Sequence, residues 1–546
     1  MHEMSGADAL LAQVLANGVD TIYGLPGGQL DHFFDSMHRA GNRVRFIGSR
    51  HEQGTAYMAL GHARSTGRPG VYCVVPGPGV LNTAAALCTA YATNAPVLCL
   101  TGQIPSEGLG RGIGYLHELP DQLGTLSTLT RWSERIMTPE AAPGAVNEAF
   151  RRMLSGRQGP VSVEMPMDVM ARRGQVRLLR AASRPENAAA DGAEVDPDEA
   201  AAAARLMAKS RKAMIVAGGG AIGARAEVNE LAERLQAPVV TFRNGRGIVS
   251  DRSYLSQNLA AGYELWRTAD LVIGIGSRME QQYLHWGMPE GRGVIRIDID
   301  PEEIARHAAP AVALECDARA GVAAILTALD REPGRWLSRE EELTTLKGSV
   351  RRQIEEVQPQ VAYLDVIREA LPDDGFLVDE ITQVGYASWY AFPVYEPRRL
   401  VTSGYQGTLG YGYATALGVK AANPDRPVVN LAGDGGFLYT SNEMATAAKY
   451  GIGLVTVLFN NNKFQNVQRQ QREWFGGRII GSDLKNPDFV AYGESFGIRS
   501  SRVESPEALR KELGRYLARD EPGLIEVPVG DMASPWKFII REPLFA

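Results

Sequence analysis

Cysteine is scarce in this chain: four among 546 residues, Cys73, Cys88, Cys99 and Cys316, with neither a CxxC pair nor a zinc-ligand spacing. That argues against a disulfide framework and a thiolate metal centre, and the four read as buried, reduced thiols of a cytoplasmic protein. No apolar run reaches the roughly 18–20 residues that a spanning helix needs, and the first ten residues lack the basic region and long apolar core of a secretory signal. A basic excess is missing too. With a formal net charge of −6 the chain offers nothing to suggest a nucleic acid or an anionic membrane as partner. What remains is ordinary globular composition, 45% hydrophobic and 22% charged, at a length that suits roughly three domains.

Apolar runs alternate with helix-like segments through the whole length. In residues 1–178, 7–17 read as a helix, 21–23 as a strand entering Gly24-Leu25-Pro26-Gly27-Gly28, and 71–75 and 96–101 as buried strands. A stretch over 181–195, rich in Ala, Asn, Pro and acidic residues, reads as a linker. In residues 196–330 a second set of strands is expected at 213–218, 271–276 and 294–297, with a glycine turn at Gly218-Gly219-Gly220. The charged run 340–356 reads as a surface helix, and residues 358–546 resume the alternation. The pattern predicts an α/β protein of three doubly wound parallel-sheet domains in series.

The most specific chemistry lies in the third domain. Asp434 sits in Gly433-Asp434-Gly435-Gly436-Phe437, and Asn461 follows 27 positions later in Asn460-Asn461-Asn462. Between them the sequence reads strand, helix, strand, which places a carboxylate and an amide oxygen at the carboxyl ends of two parallel strands, where open α/β sheets bind ligands. Glycines let backbone approach a phosphate, and a following helix start offers free N–H groups to an anion. Oxygen ligands of this kind suit magnesium held between protein and phosphate. The residues alone thus point to a magnesium-diphosphate site. An ordinary crossover with a glycine turn is the plainer alternative. In the first domain Glu52 follows the apolar 44–47 strand and opens a helix, where a glutamate is by itself commonly an N-terminal helix charge.

A Gly-Asp-Gly closed by Asn-Asn at this spacing resembles the cofactor motif of thiamine diphosphate (ThDP) enzymes. Segments 23–28, 50–54, 61–70, 76–82 and 101–105 resemble the pyrimidine-binding domain of the acetolactate synthase-like group, which includes acetohydroxyacid synthases and benzaldehyde lyases, and the likeness covers nearly the whole chain. The resemblance implies a pyrimidine-binding, a middle and a diphosphate-binding domain. It aligns Glu52 with the glutamate that hydrogen-bonds the aminopyrimidine ring nitrogen. Protonation there favours the tautomer whose exocyclic nitrogen takes the proton from the thiazolium carbon. Asp434, the Asn461 side chain and the Lys463 carbonyl become the metal's protein ligands. Gly435 and Gly436, with Thr382 and Gln383, become diphosphate contacts, and Leu409 becomes the wedge beneath the cofactor. Pro26, Gly27, Asn82, Gly407, Gly433 and Phe464 fall among the cofactor-binding positions.

The same resemblance implies a carboligase that decarboxylates a pyruvate-like 2-oxo acid and adds the acyl carbanion to a second carbonyl. A decarboxylase or a carbon-carbon lyase with the same cofactor is the alternative. The two halves of each site come from different chains in this group, so a homodimer or homotetramer is expected. Departures from the acetolactate synthase pattern point to the substrate pocket. His117 stands where an amide is usual, Gln29 where decarboxylases and lyases often carry histidine, and Gln470 where several relatives carry tryptophan; all three are expected at the reacting centre. The run 255–264 is too short for the flavin-binding loop of the group, so FAD is not expected.

Overall fold

The computed structural model describes residues 1–182 and 195–545. Three six-stranded sheets, all parallel, succeed one another along the chain. In the first the spatial order is Arg45–Gly48, Thr21–Gly24, Gly70–Val74, Val97–Gln103, Val161–Pro166, Ser133–Arg135. In the second it is Ser256–Gln257, Val239–Thr241, Ala213–Ala217, Leu271–Ile275, Gly293–Asp298, Val312–Glu315. In the third it is Leu400–Val401, Phe376–Val378, Val428–Gly433, Val455–Asn460, Gly523–Pro528, Arg499–Arg502. Helices cover both faces of such sheets, which is why central strands such as Val97–Gln103 are buried throughout and read as unbroken apolar runs.

Each sheet reverses its strand order beside its first strand, and a crevice opens at the carboxyl ends of the two strands that flank that reversal; the first and third sheets also exchange their last two strands at the far edge. In the first sheet those strands are Thr21–Gly24 and Gly70–Val74, in the second Ala213–Ala217 and Leu271–Ile275, in the third Phe376–Val378 and Val428–Gly433. The loops that follow them carry Pro26 and Gly27, Gly218 and Gly276, and Thr382 and Asp434 respectively.

The first and third sheets share a core. Tyr57, Met58 and Leu60 of the helix Glu52–Thr66 pack in one cluster with Ala414 and Leu417 of the helix Gly412–Ala422. A two-stranded antiparallel ribbon, His2–Ser5 with Arg173–Val176, ties the two ends of the first domain together and was not apparent from the sequence. Its His2–Ser5 strand carries three polar residues of four, so hydrophobic patterning gives no sign of it. All four cysteines are free thiols, but Cys88 is only half-buried, because it lies in the helix Ala84–Ala92, away from the sheet that covers Cys73 and Cys99. Most of the expected linker, residues 183–194, falls outside the described residues. Among the described residues no helix is long and apolar enough to cross a membrane.

Candidate active site

The strand Val428–Gly433 ends at Gly433, and Asp434 opens a one-turn helix, Asp434–Phe437, in place of the open glycine turn expected. Crowding explains the glycines: a Cβ on Gly433 would lie 3.0 Å from Thr382, one on Gly436 3.1 Å from Glu380, and one on Gly435 2.5 Å from Phe464. Asp434 is 4% exposed; its carboxylate accepts the Asn486 amide at 2.8 Å and lies among the backbone N–H groups of Gly435, Asn461 and Asn462. Burial holds this carboxyl above its ordinary pKa, while those N–H groups favour the ionised form and pull it back.

Asn461 follows the strand Val455–Asn460, and its Nδ2 donates to Gln465 Oε1 at 2.7 Å. That leaves Asn461 Oδ1 as the acceptor free for a ligand. Gln465 is itself held through Nε2, which donates to the Met532 carbonyl at 2.9 Å. The Lys463 side chain turns to Asp531 at 2.8 Å while its backbone bridges Asp483. Leu409 stands over the Asp434–Phe437 turn, its Cδ1 3.2 Å from a Cβ on Gly436, and the loop that carries it is pinned from below by Glu380. The Glu380 carboxylate accepts the N–H groups of Ile381, Gly410 and Gly412 at 3.0, 3.2 and 2.8 Å. Burial pushes that carboxyl up to about 7. Thr382 stands at the N-cap position of the helix Gln383–Ala391 with no side-chain hydrogen bond to it, and Gly407 holds a left-handed backbone, φ 55°. A buried carboxylate, a free amide oxygen and two helix starts facing one crevice fit a hard cation bound to a diphosphate.

The second cluster belongs to the first domain. His51 caps the helix Glu52–Thr66, its Nδ1 accepting the Gln53 N–H at 3.1 Å, so Glu52 is the first helical residue. Asn82, at the end of the helix Pro78–Asn82, donates Nδ2 to Glu52 Oε2 at 3.0 Å. From the third domain the Glu443 carboxylate accepts the N–H groups of Arg50 and His51 at 3.0–3.1 Å, fixing where that helix begins. Gln29 is 5% exposed; its Nε2 donates to the Leu116 carbonyl at 2.9 Å, and its Oε1 faces His117 Nδ1 at 3.1 Å. His117 has φ 68°, an unusual backbone for a residue with a side chain. Pro26 and Gly27 lie beside this pair, Gly27 so close to Val75 that a Cβ would overlap the valine methyl.

The structure therefore brings together Gln29 with His117, Glu52 with Asn82, and Asp434 with Asn461, Phe464 and the Thr382 turn. Gln470, half-buried on the helix Gln465–Trp474, makes no hydrogen bond to Gln29 or His117 among the described residues. Nor, among those residues, does any hydrogen bond join Glu52 to the Asp434 group. Sequence reasoning missed Asn486, Gln465 and Glu443. Gln465 alone left a trace, four residues after Asn461 at the start of a helix.

In the second sheet Gly218, Gly219, Gly276 and Asp298 line a cleft of about 440 Å³. Burial pushes Asp298 up to about 6. Asp300 is turned away, capping its own helix and pairing with Arg157 at 2.9 Å. Two arginines line the cleft and stack on rings: Arg243 lies 4.3 Å over Trp389 and Arg278 4.6 Å over Tyr405.

Three doubly wound domains in series, with a carboxylate at the switch point of the third and an amide at the end of the adjoining strand, mark an enzyme that handles a diphosphate cofactor. The chain belongs to the thiamine pyrophosphate enzymes. Residues 4–125 match their N-terminal TPP binding domain, 200–329 their central domain and 380–527 their C-terminal TPP binding domain. The chain is 35% identical to the probable 2-ketoarginine decarboxylase AruI of Pseudomonas aeruginosa, with 95% of this chain and 93% of that protein covered. It is 32% identical to the probable acetolactate synthase large subunit of Methanocaldococcus jannaschii, over 96% and 92% of the two chains. With the acetolactate synthase isozyme 1 large subunit of Escherichia coli the identity is 26%, over 96% and 94%. Its chemistry is that of a ThDP-dependent 2-oxo acid decarboxylase or carboligase.

Proposed function

We propose that the chain is a ThDP- and magnesium-dependent carboligase that decarboxylates a pyruvate-like 2-oxo acid and transfers the acyl unit to a second carbonyl compound. The observation that best supports this is the pair of half-sites beyond the carboxyl ends of strands of the first and third sheets, Asp434 with Asn461 and Glu52 with Asn82. Bound ThDP would supply an acidic thiazolium carbon and an electron sink for the electrons left when carbon dioxide departs.

Asp434, Asn461 Oδ1 and the Lys463 carbonyl would hold the magnesium. The N–H groups of Gly435 and Gly436, with Thr382 and Gln383, would take the diphosphate oxygens. Leu409, Gly407, Gly433 and Phe464 shape the crevice around it. Glu52 would hold a proton at the aminopyrimidine ring nitrogen; Asn82 restrains one of its oxygens and leaves the other for that contact. The two half-sites belong to different chains of a homodimer, which stands alone or pairs with a second into a homotetramer. Apolar side chains flank each half-site in support: Leu81, next to Asn82, is 47% exposed, and Leu438 and Tyr439, after the Asp434 turn, are 42% and 52% exposed. Neighbouring exposed apolar groups of this kind mark a contact surface.

A second reading keeps the decarboxylation and ends in protonation to an aldehyde. His117 favours it, since Gln29 Oε1 binds the proton on Nδ1 and leaves Nε2 to exchange one at the reacting carbon. Incubating the protein with ThDP, Mg²⁺ and pyruvate or 2-ketoarginine, with and without an aldehyde acceptor, separates the two. A coupled product identified by mass and chirality supports the ligase, aldehyde alone supports the second reading, and no carbon dioxide from any 2-oxo acid overturns both.

A further inference from the structure

Asn486 lies 52 positions beyond Asp434 and outside every motif of the site. The segment 482–486 runs alongside the loop that carries Asn461 and Lys463: Phe464 N–H donates to the Ser482 carbonyl at 2.9 Å, and Leu484 N–H donates to the Asn462 carbonyl at 2.8 Å. At its end the Asn486 amide bridges the two strand ends, Nδ2 donating to Asp434 Oδ2 at 2.8 Å and to Asn460 Oδ1 at 3.0 Å.

Both partners are oxygens, and an ionised carboxylate only accepts, so the Asn486 amide can face Asp434 only with its NH₂ end. The Asn460 amide is oriented from behind in the same way. Its Nδ2 donates to Glu526 Oε1 at 2.7 Å, so its Oδ1 is the end turned to Asn486 and to the Asn462 N–H. Glu526 is 2% exposed and pairs with Arg502 at 2.8 Å. A single chain of oriented groups, Arg502 to Glu526 to Asn460 to Asn486 to Asp434, thus runs from the edge strand of the third sheet to the carboxylate at its switch point.

We infer that Asn486 is a positioning residue for magnesium-diphosphate binding: by holding Asp434 Oδ2 it sets the direction in which Oδ1 meets the metal. The inference rests on the reading of Asp434 as a metal ligand. A carboxylate with one oxygen already restrained loses little further freedom when it coordinates a cation, and groups that orient metal ligands commonly govern affinity by about 10–100-fold. Asn486 acts through Asp434 and is given no contact with substrate.

The test is calorimetric titration of ThDP into the protein at graded Mg²⁺, on the unaltered chain, Asn486→Leu, which keeps the branched shape without the polar atoms, and Asn486→Ala. The Mg²⁺ concentration for half-maximal ThDP binding is expected to rise by about 10-fold or more in both. At saturating Mg²⁺, kcat and KM for the 2-oxo acid should stay within about twofold, since the displaced group binds neither substrate nor reacting atoms. Asp434→Ala is the control and should lose Mg²⁺-dependent ThDP binding; if it does not, the metal-site reading itself fails. If Asp434→Ala loses binding while both Asn486 variants keep the original Mg²⁺ dependence, the inference is overturned, and a lowered melting temperature without that shift overturns it equally.

Discussion

Gly418 and Met58 meet backbone to backbone: a Cβ built on Gly418 would overlap the Met58 carbonyl oxygen, and one on Gly61 would overlap the Thr415 carbonyl in return. The helices Glu52–Thr66 and Gly412–Ala422 therefore cross with no side chain between them, and the third domain sets the position of the helix that Glu52 opens. Gly418→Ala must push the two helices apart. A loss of about 1–3 kcal/mol or more is expected for overpacking at such a contact, read as a lower melting temperature together with reduced turnover. Gly144, in the helix Ala142–Leu154 with open space where its Cβ would be, supplies the contrast. Gly144→Ala should be neutral or stabilising by up to about 1 kcal/mol. Equal melting of the two variants would contradict the crossing described.

Replacing Glu52 by Gln keeps the shape of the side chain and removes its capacity to hold a proton as an acid. Turnover is expected to fall by about 10²–10⁴-fold, while ThDP binding in calorimetry stays close to that of the unaltered chain, because Asp434 and its neighbours are untouched. Carbon dioxide release at the full rate would remove Glu52 from the mechanism.

These two variants also mark the limit of what sequence shows. Strands such as Val428–Gly433 and Val97–Gln103 were legible because burial on both faces demands apolar runs, and Asp434 with Asn461 because one crossover carries both. The helix start at Glu52 was legible as well. What escaped was contact between distant segments of polar residues. Nothing local says that Glu443 will grip Arg50 and His51 across 393 and 392 positions, or that Asn486 will reach back to Asp434. Asp298 and Asp300 look equivalent in Asp298-Ile299-Asp300, and a continuing strand would put both on one face, yet the strand ends at Asp298 and Asp300 caps the helix Pro301–Ala305, where only the structure shows that Arg157 takes it.

His117 combines a left-handed backbone with an imidazole held by Gln29. His117→Gly suits that φ and removes only the side chain, so the loop should persist and melting should change little. His117→Val should cost stability, because a β-branched residue at positive φ is a steric outlier. If His117 delivers the proton that ends the reaction as an aldehyde, His117→Gly lowers the aldehyde fraction and raises the coupled product where an acceptor is present. Product ratios by mass spectrometry check this, and an unchanged ratio would remove His117 from that step.

Glu380 makes stability depend on pH in a definite direction. Burial raises its carboxyl to about 7, and the three backbone N–H groups that favour the ionised form offset only part of that. Above the ordinary glutamate value of about 4.3 the unfolded chain has released this proton while the folded chain still holds it. The folded state then binds more protons, so the contribution of Glu380 to stability falls as pH rises through this window and is lost above about 7, while the adjoining Asp379, also raised by burial, adds a fall of its own. A shift of this size corresponds to about 3 kcal/mol across the window. Glu380→Gln removes the titration, at the cost of an amide NH₂ set against backbone N–H groups, so the variant should be less stable at about pH 5 and show a flatter slope toward about pH 7.5. Asp298→Asn flattens a lower, overlapping window that ends near pH 6, the value to which burial pushes that carboxyl, and leaves the upper part of the Glu380 slope intact. Melting temperatures of the cofactor-free protein across this range check both, and a Glu380→Gln slope equal to that of the unaltered chain would show that Glu380 is ionised in the fold.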